Sequence, residues 1–137
     1  QFMKAYSLLV FLLGCFMVTG CFNDKVTPQL LQGTYKGSFR SINTASATDR
    51  SGLLGGTANI VINGNSYQGG STAAPQSRGS YALKSDEITF ADSLAHTADF
   101  NWSLLLNGTF KQSTSGDSLV WTKTSGTYNF IYTLKKQ

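Results

Sequence analysis

Residues 119–134 read LVWTKTSGTYNFIYTL. Tyr128, Phe130, Tyr132 and Leu134 fall at every second position, with Asn129, Ile131 and Thr133 between them. Successive strand side chains point to opposite faces, so this spacing predicts a strand with one apolar face. Leu119 and Trp121 form the apolar face of a strand before it, and Thr124-Ser125-Gly126 turns the chain between the two.

The same grammar extends toward the N-terminus. Phe100, Trp102, Leu104 and Leu106 share one predicted strand face, Asn107-Gly108 turns, and Thr109-Phe110-Lys111-Gln112 returns. Gly79-Ser80-Tyr81-Ala82-Leu83 pairs with Glu87-Ile88-Thr89-Phe90-Ala91 across a turn at Lys84-Ser85-Asp86. Ala58-Asn59-Ile60-Val61-Ile62 and Ser66-Tyr67-Gln68 flank Asn63-Gly64-Asn65, a hairpin signal because Asn and Gly tolerate positive φ. In the opening strand, Tyr35, Gly37 and Phe39 fall on one face, and Lys36, Ser38 and Arg40 on the other. Residues 41–55 and 69–77 are rich in Ser, Thr, Gly and Ala and read as loops. The sum is an all-β domain over residues 32–137: an antiparallel meander of about eight strands. Sequential hairpins of that number tend to close, or nearly close, into a barrel. Two stacked sheets are the alternative, because alternation alone does not distinguish them.

Composition agrees with strands and tight turns: 14 Gly accompany 9 Phe, 6 Tyr and 2 Trp. Net charge is +4, with the basic residues scattered, and Lys135-Lys136 is the only adjacent basic pair. A nucleic-acid surface needs clustered basic residues, so no nucleic-acid partner is expected. The two cysteines, Cys15 and Cys21, both lie in the N-terminal region, which leaves no pair for a disulfide within the barrel.

That N-terminal region reads as a signal peptide over residues 1–20. Lys4 supplies its positive start, and LLVFLLGCFMV at 8–18 its apolar core. A bilayer span needs about 20 apolar residues, so this run is too short to serve as one. Val18-Thr19-Gly20-Cys21 resembles the lipobox of bacterial lipoproteins. The resemblance implies a diacylglyceryl group on the Cys21 thiol and cleavage before that residue. It also implies membrane attachment through the lipid. Leu12-Leu13-Gly14-Cys15 fits more loosely and would leave an apolar core of only about nine residues. Phe22, rather than Asp, follows Cys21, and by the same resemblance the protein is expected in the cell envelope at the outer membrane. Residues 21–31 are then a lipidated N-terminus and tether.

Gly33-Thr34-Tyr35-Lys36-Gly37 at the start and Tyr132-Thr133-Leu134-Lys135-Lys136 at the end resemble small lipocalin-like lipoproteins of Bacteroidetes, over roughly residues 32–136. The resemblance implies a non-enzymatic binding domain for a small apolar ligand or lipid. The alternative is a surface module that binds an envelope protein or glycan through its loops. Candidate cavity-lining residues are Tyr35, Phe39, Tyr81, Phe100, Trp102, Trp121, Tyr128, Phe130 and Tyr132. A small barrel normally fills its interior, so the same aromatics equally make a solid core.

Catalytic chemistry is hard to find. His96 is the only histidine, and a lone loop histidine is expected to be solvated. Asp86-Glu87 are adjacent and so point to opposite faces of a strand, which separates them as a dyad. No phosphate loop, nucleophile elbow, metal spacing or cofactor motif is present. Asp92-Ser93-Leu94 and Asp117-Ser118-Leu119 resemble the short O-glycosylation acceptor of Bacteroidetes, although Asp-Ser is also ordinary turn chemistry.

Overall fold

Eight strands follow one another along the chain: β1 Gly33–Asn43, β2 Gly55–Asn63, β3 Ser66–Ser71, β4 Ser77–Lys84, β5 Glu87–Asp92, β6 Gly108–Ser115, β7 Ser118–Ser125 and β8 Tyr128–Lys136. The computed structural model describes residues 30–45, 54–97 and 99–137. The expected signal peptide at residues 1–20, Cys21 and most of the expected tether lie outside the described residues. Every strand pairs antiparallel with the next, and β8 returns to β1, with Tyr35 opposite Lys136 and Asn43 opposite Tyr128. The result is a closed, lipocalin-like barrel. Closure leaves no unpaired sheet edge.

Turn chemistry explains much of this order. Three two-residue hairpins carry glycine first in the loop, at Gly64, Gly116 and Gly126, with φ of 57°, 61° and 60°. No other residue type takes positive φ among the described residues. Positive φ at the first loop position alone is the type II′ arrangement, whose twist matches that of the flanking strands. Gly37 has a different task. Tyr35 and Phe39 turn inward as expected, but Gly37 between them is exposed, opposite Leu134 of β8. A Cβ at Gly37 would stand 1.9 Å from the Thr133 carbonyl oxygen.

Aromatic and aliphatic side chains fill the interior. Phe39, Tyr67, Phe90, Phe110, Trp121 and Tyr132 are almost fully buried, among Ile60, Ile62, Ile88 and Leu134. Phe90 sits at the centre, with ring centroids 4.7 Å from Tyr67, 5.1 Å from Trp121 and 5.8 Å from Phe110. Its contacts with Tyr67 and Phe110 are edge-on, which the ring quadrupole favours. Each such side chain contributes about 1.5–3 kcal/mol by leaving water.

Two expectations need correction. Residues 93–107 do not form a strand with Phe100, Trp102, Leu104 and Leu106 on one face. They lie in the connection from β5 to β6, whose described residues include a 3-10 turn at Trp102–Leu104. Asn101 starts that turn: its side chain accepts from the Ser103 N–H, and its carbonyl accepts from the Leu104 N–H. Such local capping competes with extended structure. The loops are also shorter than their composition suggests. β1 runs on to Asn43 and β3 to Ser71, because Ser41 pairs with Phe130 and Ser71 with Ala58. Neighbouring strands override a weak intrinsic preference in these segments.

Candidate functional site

The two ends of the barrel differ. At one end, two-residue turns join β2 to β3, β4 to β5 and β6 to β7. Residues 30–32 cover that end: the Tyr81 hydroxyl donates to the Leu31 carbonyl at 3.0 Å, and Gln32 both donates to and accepts from Gly64. The opposite end carries the three long connections, at residues 44–54, 72–76 and 93–107, beside the short β7–β8 turn. Exposed Leu54, Leu94 and Trp102 all belong to this loop end, and Trp102 is 54% exposed.

Inside the loop end, the wall becomes polar. Ser41, Ser71 and Ser77 are buried there. Ser71 lies beside the Tyr132 hydroxyl and Ser77 beside that of Tyr67. Neither Ser77 Oγ nor Tyr132 Oη meets a partner with hydrogen-bond geometry. Burial pushes the Tyr132 phenol up to about 12, and it raises Tyr67 as well, with the Asp92 carboxylate adding to the latter. Both phenols are therefore neutral donors at physiological pH.

Lys123, on β7, also belongs to this interior. Its Nζ donates to the Leu105 carbonyl at 3.3 Å and to the Asn107 carbonyl at 3.0 Å. It lies 5.0 Å from the ring centre of Phe110 and 5.6 Å from that of Phe130, an arrangement that favours a cation. Desolvation nevertheless pulls its ammonium down to about 8. The two ion pairs among the described residues, His96–Asp92 and Lys135–Asp117, do not involve it.

Residues 104–106 sit at this end with all three leucines buried. The Tyr67 hydroxyl donates to the Leu106 carbonyl at 2.7 Å. The connection has its own small cluster beside them. His96, far from being solvated, has a side chain only 7% exposed, and its Nε2 pairs with Asp92 Oδ2. The rings of Phe100 and Trp102 meet it edge-on, at 5.6 and 5.8 Å. Burial tends to raise the Asp92 carboxyl, but hydrogen bonds from His96, Leu94 N–H and Arg78 N–H outweigh it and hold the group below its ordinary value.

The predicted lining residues thus divide. Tyr35, Phe39, Tyr81, Trp121, Phe130 and Tyr132 project into the interior, and Tyr128 is half-buried at its margin. Phe100 and Trp102 belong to the β5–β6 connection and contribute no interior wall. Cys21 lies outside the described residues. Sequence reasoning missed Lys123, the buried serines and the His96–Asp92 pair. Lys123 and Ser41 had a signal, since each stands two positions after an inward-facing aromatic, Trp121 and Phe39.

A groove of about 300 Å³ is present, but on the outer wall, where Val61, Asn63, Gln68 and Arg78 line it. Among the described residues, no three His, Cys, Asp or Glu side chains gather as a metal site would require. No protein-family model, curated protein or solved structure matches the chain. The barrel shape is consistent with a ligand-binding module.

Proposed function

We propose that the domain is a non-enzymatic binding module, held in the cell envelope by lipid on Cys21, that takes a small and largely apolar ligand at the loop end of its barrel. The observation that carries this reading is the inequality of the two ends. One is closed by tight turns and Leu31. The other combines long connections, buried hydroxyls without partners and an inward-facing lysine. The aromatics that fill the barrel's depth leave the mouth, rather than the centre, as the place for a ligand. Native mass spectrometry of protein purified from its own host tests this. The expected result is a bound species of a few hundred daltons that survives gentle ionisation and leaves on activation. Bare protein throughout would count against ligand carriage.

A second reading has an observation of its own. A packed interior together with exposed Leu54, Leu94 and Trp102 also suits a surface module for an envelope protein or glycan. Bare protein by mass spectrometry, combined with loss of partner capture in Trp102→Ser, would favour it.

A further inference from the structure

Residues 104–106 occupy the mouth much as a ligand would. Their three side chains are buried apolar groups. Their backbone joins no strand ladder: Leu104 and Leu105 donate back to Asn101 and Trp102 within their own turn, and Asn107 donates to Leu105. The barrel wall holds the segment through side chains, with the Tyr67 hydroxyl on the Leu106 carbonyl and Lys123 Nζ on the carbonyls of Leu105 and Asn107. Moving it aside would therefore cost no strand pairing. The wall groups that hold it define a chemistry: apolar bulk beside acceptor oxygens, met by a neutral phenol and an ammonium.

An amide carbonyl is a weak partner for a desolvated ammonium, and a carboxylate forms the stronger, charge-assisted bond. Lys123 has no carboxylate among the described residues. A half-buried, desolvated cation without an opposite charge carries a cost, and an anion brought by a ligand would offset it. Ser77 Oγ, buried and unpartnered at the same end, offers another hydroxyl toward this interior.

Resting on the mouth-binding reading above, we infer that the ligand is an anionic amphiphile, a single apolar chain ending in a carboxylate, which displaces residues 104–106 and places its carboxylate on Lys123. The leucine sites take the chain, and Tyr67 donates to the carboxylate or to an oxygen near it.

The test compares two probes of equal chain length, dodecanoate and dodecanol, below their aggregation concentrations and at neutral pH. The full chain is used, and tryptophan fluorescence reports binding, because Trp102 adjoins the displaced segment. The expected result is that dodecanoate binds at least about tenfold tighter than dodecanol, an amount typical of one added charge-assisted bond. Lys123→Met should reduce that preference to within about twofold, while Lys123→Arg retains most of it. Equal binding of the two probes by the native protein overturns the inference and leaves an apolar-ligand module standing. So does an unchanged preference in Lys123→Met. Failure of both probes to bind overturns the inference and counts against the mouth-binding reading with it. Circular dichroism establishes that each variant is folded, and the comparison of probes on the native protein decides the matter even if Lys123→Met is not.

Discussion

Lys123 and the buried tyrosines give the protein a particular response to alkali. Burial holds the Lys123 ammonium at about 8, against an ordinary 10.5. Between those values the unfolded chain binds the extra proton, so stability rises with pH across that window. The tyrosines act in the opposite sense. Tyr132 is raised from 10.0 to about 12, and Tyr67 is raised too. The unfolded phenols therefore ionise first, and stability is lost as pH climbs from 10 toward 12. Thermal unfolding followed by circular dichroism should show greatest stability near about pH 10, where the lysine rise gives way to the tyrosine fall. The lysine limb amounts to about 1–2 kcal/mol after allowance for partial exposure. Lys123→Met should flatten the rise and leave the alkaline fall. Equal rises in native protein and variant would show that another group is responsible. The sequence carried only the spacing of Lys123 two positions after Trp121, and an isolated lysine in a strand otherwise reads as an outward residue until its neighbours are placed. His96 is a similar case, because its partner, Asp92, lies at the end of β5 and the rings that enclose it belong to a connection read as a strand.

Strands and turns were the most legible scale. The alternation in β8 and the glycine-led loops after Asn63 and Ser125 correspond to observed elements. The segment at residues 93–107 failed because F-x-W-x-L-x-L satisfies strand spacing while three successive leucines at 104–106 do not. Consecutive burial is a sign of irregular packing rather than of a half-buried strand. The glycines test what holds the strands in place. Gly37→Ala would drive a Cβ to 1.9 Å from the Thr133 carbonyl oxygen, across the β1–β8 seam that closes the barrel. A loss of at least about 2 kcal/mol is expected in urea unfolding, as for overpacked sites without room to relax. Gly64 meets nothing within 4 Å, so Gly64→Ala encounters only its positive φ. That variant should lose about 1 kcal/mol. Similar losses at both positions would mean that β1 shifts easily against β8, contrary to the tight seam described.

Across the whole molecule, the hairpin order was readable apart from one strand too many at residues 100–106, and closure was one of two readings of it; the difference between the barrel's ends was not legible. Which connections share an end depends only on strand parity, yet the burial of residues 104–106 depends on the shape of the mouth. Closure itself has a consequence for how the chain is threaded. Tyr35 lies opposite Lys136, and the Gln137 N–H donates to the Thr34 carbonyl, so the first and last strands are neighbours like any others. The strand order is a ring, and the ribosome's starting point is one of several equivalent cuts. A circular permutant that joins Gln137 to Leu30 through a short Gly-Ser linker, and opens the chain in the exposed Ser85-Asp86 turn, should fold to the same β spectrum and unfold cooperatively. A permutant that aggregates or binds hydrophobic dye would show that the ring needs its native beginning. If it folds, the shape of the barrel is independent of where along the ring the chain begins.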